Sequence, residues 1–456
     1  MRHGAAAAAA AAAAALLAGC GGSGSGSLPE GAGKTPADAP AFVSLKTDPG
    51  SAQWKRALSL ARRFPGLRAQ LDRLDRYKDA VGPELDVVWL DFANNRDDVV
   101  ALTKPRNLAQ LKTLAQPDTA SYSALSDGWV VVAAKRSLID RFKRAAEGDK
   151  LDGDKTFKAG FGKLDQAAPV RAWVRGATVQ SALDRALVGG GAAPRITHDA
   201  GDVQSIAASA RAQADGATFD AYGLIDPPPS AATFAPTLQK AVPGGVALYV
   251  ASRNLDRPLR LILRMVGESK PNFDEQLARV QSVLGIDLKR DVADQLSGAA
   301  SLNIALTGAF GARADVRDPA AVKRTLRKLV ATLPRLAISS RRGPVRLTRI
   351  KGGLYAFKGP GGRRAVFGVI GRTLVAASTQ ARARELAGAR PESVPGVTGS
   401  LVLEADARRL VEELIRRFAP RTGIGTSAFT APLGELTGSV TSDTGGLRGS
   451  LKLAIH

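Results

Sequence analysis

The stretch YSALSDGWVVVA, residues 122–133, predicts a β-hairpin and indicates how the rest of the chain folds. It centres on Asp127-Gly128, a dipeptide typical of two-residue turns because both residues accept a positive φ. The stretch VFGVIGRTLVAA, residues 366–377, repeats the pattern around Gly371. A chain that contains the same hairpin twice is expected to contain the surrounding module twice.

The elements around the two hairpins also recur in one order. The recurring pairs are a short strand after a proline (41–46 and 247–252), a second strand (86–92 and 300–306), a proline-initiated helix (105–114 and 319–333), a strand before a helix (170–174 and 400–403) and a closing hairpin (206–225 and 436–455). We therefore predict an α+β fold of two tandem pseudo-repeats, each a mainly antiparallel sheet with helices packed on one face. The alternative is one continuous sheet shared by both halves.

The N-terminus has the pattern of an export signal. Arg2 and His3 precede an apolar run, residues 5–17, that is too short to span a bilayer stably. The run ends in LAGC, residues 17–20, which resembles a bacterial lipobox. The resemblance implies cleavage before Cys20, lipidation of its sulfur, and a position on the extracytoplasmic face of the cell membrane. The alternative is an ordinary secretion signal that contains this cysteine by chance.

These patterns divide the chain into five segments. Residues 21–39 are rich in Gly, Ser, Pro and Ala, which is typical of a flexible linker, and residues 227–230 contain three prolines at the expected repeat boundary. We predict a lipoprotein signal peptide (1–19), a flexible tether (20–39), repeat 1 (40–226), a Pro-rich linker (227–242) and a strongly basic repeat 2 (243–456).

Together, the lipobox at Cys20, the proline–strand–helix openings and the duplicated hairpins resemble the bacterial envelope lipoproteins grouped as the domain-of-unknown-function family 3352. The resemblance extends from about residue 40 to residue 455. It implies an extracytoplasmic protein with no assigned activity, and it supplies no catalytic residues.

The composition argues against the common catalytic and metal sites. The chain has 456 residues, one cysteine and three histidines, so a thiolate cage or a multi-histidine site is not expected. His198 lies in a predicted loop, and no Gly-x-Ser-x-Gly elbow accompanies it. Asp149, Asp152 and Asp154 do not follow the EF-hand spacing, and we interpret them as a solvated turn. We predict no catalytic residue, no metal and no cofactor.

Positive charge is concentrated in the second half. The net charge is +22, and residues 319–384 contain 16 Lys and Arg but no Asp or Glu. Guanidinium groups bind phosphate and carboxylate oxygens in a planar fork. We predict that this face meets anionic lipid headgroups or cell-wall polyanions, through a set of seven arginines: Arg341, Arg342, Arg346, Arg349, Arg363, Arg364 and Arg372. The alternative is that the arginines only keep the surface soluble.

Nucleic acid is not an expected partner. An exported protein does not meet it, and the four tryptophans (Trp54, Trp89, Trp129 and Trp173) lie outside the basic segment, so no aromatic platform accompanies the charge.

We therefore predict a non-enzymatic, lipid-anchored envelope protein that serves as a binding or scaffolding module, with an unknown protein partner. One alternative is a carrier of an apolar or lipid ligand in a cleft between sheet and helices. A second alternative is an enzyme of unrecognised chemistry.

Overall fold

The computed structural model describes residues 28–71, 80–92, 98–114, 120–181, 202–226, 246–253, 255, 273–296, 298–305, 309–337, 346–359, 364–388, 398–418 and 427–456. Cys20, His198 and the predicted linker 227–242 lie outside the described residues. The described part contains both helices and a large antiparallel sheet, which confirms the α+β class.

The sheet has eighteen strands in the described part of the chain, and their pairings are antiparallel. The strands are β1 (Ala41–Lys46), β2 (Glu84–Trp89), β3 (Val99–Thr103), β4 (Ser121–Ala124), β5 (Val130–Ala133), β6 (Val170–Arg175), β7 (Asp202–Ala212), β8 (Gly216–Asp226), β9 (Val246–Arg253), β10 (Ala299–Ala305), β11 (Phe310–Asp315), β12 (Arg346–Ile350), β13 (Leu354–Lys358), β14 (Arg364–Ile370), β15 (Thr373–Ala377), β16 (Leu401–Asp406), β17 (Leu433–Asp443) and β18 (Gly446–Ile455).

The two halves of the chain join at the centre of this sheet, where β8 pairs with β18. Outward from β8 the neighbours are β7, β6, β1, β2, β3, β5 and β4. Outward from β18 they are β17, β16, β9, β10, β11, β15, β14, β13 and β12. The sheet is thus continuous across both halves, as in the alternative stated above.

Ten α-helices lie wholly within the described residues: α1 (Ala52–Arg62), α2 (Leu108–Leu114), α3 (Arg136–Ala145), α4 (Lys155–Phe161), α5 (Phe273–Leu284), α6 (Leu288–Asp291), α7 (Pro319–Ala337), α8 (Gln380–Gly388), α9 (Ala407–Phe418) and α10 (Ser427–Thr430). Residues 68–71 and 176–181 are also helical. The proline-initiated helix is confirmed at α7, where the Asp318 carboxylate accepts hydrogen bonds from the backbone N–H groups of Ala320 and Ala321.

The prediction that helices cover one face of each sheet is wrong. On β5, Val131 packs in a cluster with Ile139 of α3, whereas Val130 packs with Leu111 of α2. Successive residues of a strand point to opposite faces, so α2 and α3 lie on opposite sides of the sheet. The reason is the run of three valines that ends with Val132, because a strand that is apolar on both faces must be covered on both.

The first half has an aromatic core on one face. Phe42 and Trp173 are fully buried, and so are Phe157 and Phe161 of α4. The Phe157 ring centroid lies 4.7 Å from that of Phe161 and 5.5 Å from that of Trp173. Packing of this kind dominates the energetics of small cores.

Residues 28–39, which were predicted to belong to the flexible tether, pack against the first half. Ala32 and Ala39 belong to the first-half core, and Thr35 has no exposed surface. The segment is held by backbone hydrogen bonds, among them one of 2.9 Å from the Leu151 N–H to the Thr35 carbonyl. A composition rich in small residues is typical of a flexible linker, but small residues also permit close packing. Here a Cβ on Gly31 would overlap the Asp86 carboxylate.

The predicted turns adopt the expected backbone. Asp127 and Gly128 have φ of 58° and 78°, and Gly371 has φ of 58°. Both short hairpins therefore turn through left-handed residues, which matches the twist of antiparallel strands.

Candidate functional site

The structure brings together two of the seven predicted arginines. Arg346 on β12 pairs directly with Lys358 on β13, and Lys358 pairs with Arg364 on β14. All three side chains are exposed, and none forms an ion pair with an acid in the described part of the chain. Cations directly opposite each other on neighbouring strands repel, and no acid of the described residues neutralises them, so these three side chains, the cationic row, are a candidate surface for an anion.

The other predicted arginines do not join this row. Arg349 is three residues from Arg346 and therefore points to the opposite face of β12, where it pairs with Tyr355. Arg372 lies in the turn at the far end of β14. Arg341, Arg342 and Arg363 lie outside the described residues. Lys358 is not among the residues predicted from the sequence. The cross-strand register that places it between two arginines cannot be read from sequence spacing.

An apolar row crosses the whole sheet on the face that carries Arg349. The register connects one residue from each strand, in the order Ala124, Val130, Thr103, Leu85, Leu45, Val170, Ala210, Phe219, Leu451, Gly438, Leu403, Val250, Leu302, Ala312, Ala376, Phe367, Tyr355 and Arg349. Only Thr103, Tyr355 and the terminal Arg349 carry a polar group. We call this side of the sheet the apolar face.

The helices of the described residues cover the centre of the apolar face only in part: α1 packs on its edge at Ala217 and Leu453. Leu302, Leu401 and Leu451 expose 41%, 37% and 40% of their surface, and Phe219 and Leu403 are half-buried. From β8 to β10 the six neighbouring strands β8, β18, β17, β16, β9 and β10 span about 24 Å, at about 4.8 Å per strand. A contiguous apolar patch of this kind is typical of a binding surface.

Helix α7 adds positive charge on the same side. Its Val322 and Leu326 pack with Ala314 and Leu374, which point to the apolar face. Its Lys and Arg side chains Lys323, Arg324, Arg327 and Lys328 are exposed. The apolar face is therefore bordered by cations at its β12 end, where Arg349 is also exposed.

The opposite face is polar along the central strands. The neighbouring row connects Asp86, Ser44, Arg171, Ser209, Asp220, Ser450 and Ser439. We call this side the polar face. The central sheet is thus amphipathic, with each polar residue adjacent in sequence to an apolar one.

The first-half end of the polar row differs from its centre because its ionisable side chains are buried. Asp86 has no exposed surface, and burial together with the neighbouring Glu84 raises its pKa well above the usual range. Burial lowers the pKa of Arg171, which lies in the same row. Nearer the centre, Arg211 forms an ion pair of 2.6 Å with Asp165. This end of the row therefore buries two ionisable side chains, Asp86 and Arg171, beside one ion pair.

No helix of the described ranges has both the length and the apolar content required to cross a bilayer. Within those ranges, no group of three or more His, Cys, Asp or Glu side chains is arranged to hold a metal ion. The Asp154 carboxylate instead caps α4 by accepting from the Thr156 and Phe157 N–H groups, and it pairs with Arg175 at 3.2 Å.

The fold and its surfaces define an α+β protein built on one antiparallel sheet with an apolar and a polar face. The family described as "Protein of unknown function (DUF3352)" matches residues 103–342, and the chain belongs to it. Comparison with curated proteins gave no significant match.

Among solved structures, crystal form III of TP0453 has 11% identity and a TM-score of 0.25, over 46% of this chain and 75% of that chain. Crystal form I of TP0453 has 12% identity and a TM-score of 0.25, over 44% and 72%. A TM-score of 0.25 is too low to establish a shared fold.

Proposed function

We propose that this chain is a non-enzymatic binding protein of the cell envelope, anchored through a lipid on Cys20, whose apolar face holds the acyl chain of an anionic lipid. The observation that carries this proposal is the apolar row with Leu302 and Leu451 exposed at its centre.

The character of the row favours an acyl chain over a protein partner. Its central residues offer no side-chain hydrogen bond, so a ligand without polar groups leaves nothing unsatisfied. Each buried CH₂ group contributes about 0.8 kcal/mol, which makes a long chain a sufficient ligand. The cations at the β12 end, Arg349 and those of α7, suit an anionic headgroup.

The test uses the Cys20→Ser chain, which lacks the anchor, and a pyrene-labelled fatty acid. We expect saturable uptake that Leu451→Lys reduces about tenfold, because a charge on the apolar face disfavours the chain by at least 1.4 kcal/mol. Leu108→Lys is the matched control, since Leu108 is 42% exposed and Leu451 is 40% exposed. Non-saturable uptake, or equal loss in both variants, would contradict the proposal.

The cationic row supports a second role, attraction of the body to an anionic surface. Arg346, Lys358 and Arg364 each contribute about 1 kcal/mol near anionic lipid, and the effect is screened over about 8–10 Å by salt. Replacement of all three by Glu should abolish binding to anionic vesicles at low salt. The matched control replaces Lys55, Arg56 and Arg62 of α1, which are also exposed. Equal binding by both triple variants would refute this role.

We also propose that the body consists of two tandem pseudo-repeats, residues 40–226 and 243–456. The supporting observation is that the eight strands outward from β8 to β4 correspond in order to the eight from β18 to β14, while β13 and β12 have no counterpart in the first half. Asp220 pairs with Ser450, and each lies at the same distance from the glycine that opens its strand, Gly216 or Gly446. A pseudo-twofold axis through this pair would relate the two copies.

A further inference from the structure

A cluster of buried polar side chains lies on the polar face of the second half. Tyr249 on β9 pairs directly with Asn303 on β10 and with Glu404 on β16. Residues opposite each other on neighbouring strands have Cβ atoms about 4.5–5.5 Å apart. Tyr249 is 2% exposed and Asn303 is fully buried. The three side chains therefore form a row on one face, with Tyr249 in the middle and Glu404 half-buried.

Helix α8 closes one side of this cluster. Arg382 donates a hydrogen bond of 2.6 Å from Nη2 to Asn303 Oδ1. A Cβ on Gly311, which pairs with Asn303, would lie 3.0 Å from Asn303 Oδ1 and 3.1 Å from Arg382 Nε. The glycine therefore leaves room for the amide and the guanidinium on this side.

The cluster leaves several polar atoms without a partner. Tyr249 Oη, Asn303 Nδ2, Glu404 Oε2 and Arg382 Nε are all buried and form no hydrogen bond. A buried polar group without a partner costs about 1–3 kcal/mol, so native proteins retain only a few per 100 residues, and a group of them in one place calls for an explanation. Four in one cluster indicate a site that is completed by a ligand.

The protonation of the cluster follows from its burial. Burial and the neighbouring Glu404 raise the pKa of Tyr249, which stays a neutral phenol. Burial and Glu435 raise the pKa of Glu404. The site therefore combines one guanidinium, one carboxyl, one amide and one phenol, with both hydrogen-bond donors and acceptors unused.

The cluster contains groups of both signs, a guanidinium and a carboxyl, so it favours neither a simple anion nor a simple cation. A hydroxyl group both donates and accepts, so it can satisfy the carboxyl oxygen and the amide at once. Several adjacent hydroxyls would satisfy all four orphaned atoms.

We propose that Tyr249, Asn303, Glu404 and Arg382 form a binding site for a neutral polyhydroxylated ligand, a sugar ring or a polyol. The site lies on the face opposite the apolar row, so it is separate from the acyl-chain surface proposed above and does not depend on it.

The experiment titrates the Cys20→Ser chain with glucose, mannose, galactose, inositol and glycerol by isothermal titration calorimetry. We expect saturable binding of at least one of them. Tyr249→Phe should weaken it about tenfold, equivalent to 1.4 kcal/mol for one lost hydrogen bond. Tyr355→Phe is the matched control, because Tyr355 is also buried but lies on the apolar face, and it should leave the Kd unchanged.

Thermal unfolding separates this role from a structural one. Removing an unpaired buried hydroxyl should leave the Tm of the ligand-free protein unchanged or higher, whereas a structural hydroxyl would lower it. Glu404→Gln, which keeps the shape of the side chain, provides a second variant with the same expected loss of binding. Leu451→Lys should bind sugar normally, so failure of the acyl-chain proposal would be recognised separately.

Vesicles that carry a glycolipid with the preferred sugar distinguish a membrane headgroup from a free sugar, since only the former retains the chain on the vesicle. The proposal is overturned if none of the five compounds binds saturably, if Tyr249→Phe binds as tightly as the parent, or if inorganic phosphate or Ca²⁺ competes for the same site.

Discussion

Corresponding strands in the two halves of the sheet carry different kinds of side chain at the same place. On the polar face of the first half, Phe42 pairs with Val88 and with Trp173, and all three are fully buried. On the same face of the second half, Tyr249 pairs with Asn303 and with Glu404. One strand arrangement thus holds an aromatic core in one half and an orphaned polar cluster in the other.

This difference bears on stability and on ligand binding. Close-packed aromatic rings stabilise this place in the first half, whereas at the corresponding place in the second half Tyr249, Asn303 and Glu404 each bury a polar atom without a partner. Sites that bind ligands are often less stable than the scaffold around them. We infer that at this place in the sheet the first half has selected packing and the second half has retained polar groups for a binding site.

The largest expected effect is a loss of stability when the aromatic core is disrupted. Trp173→Ala should lower the free energy of unfolding by about 3–5 kcal/mol, because it leaves a large cavity. Glu404→Ala, at the corresponding place on β16, should lower it by less than about 1 kcal/mol, since Glu404 Oε2 has no partner to lose. Urea unfolding followed by circular dichroism measures both. Equal losses would contradict the comparison.

A smaller effect tests the segment that was expected to be a tether. Gly31→Ala should destabilise the protein by about 1–3 kcal/mol, because its methyl group would overlap the Asp86 carboxylate beneath it. Gly153→Ala is the control, since a Cβ there meets nothing within 4 Å. Thermal unfolding compares the two. If both variants behave alike, residues 28–39 do not pack on the first half as described.

The smallest effect concerns pH. Because burial and Glu84 raise the pKa of Asp86, the folded state holds a proton that the unfolded state releases above a pKa of about 3.9. Stability should therefore fall as the pH rises from there to the raised pKa, by at most about 1.4 kcal/mol per pH unit. Asp86→Asn should flatten this dependence. An Asp86→Asn profile as steep as that of the parent would show that Asp86 is ionised in the folded chain.

Local sequence patterns predicted the strands and turns well. The hairpin around Asp127 and the opening strand 41–46 agree with the structure, because turn residues and apolar runs are local properties. Helix placement was not predictable in the same way. The valine run at 130–132 could be one deeply buried strand face or two covered faces, and only the tertiary structure decides.

The candidate sites were harder to predict from the sequence than the strands and turns, for a geometric reason. Arg346 and Arg349 look like neighbours in sequence but point to opposite faces, whereas Arg346 and Lys358 are twelve residues apart and adjacent in the sheet. Tyr249, Asn303 and Glu404 are single polar residues on three strands, and no spacing connects them. Both sites depend on cross-strand register, which is a long-range property.

The most direct test of the central claim is photo-crosslinking of the Cys20→Ser chain with a fatty acid that carries a diazirine in its acyl chain, followed by mass spectrometry of the adducts. The account predicts adducts on the apolar face, at Phe219, Leu403 and Leu451. Adducts confined to the polar face, at neighbours such as Asp220 and Ser450, would contradict it.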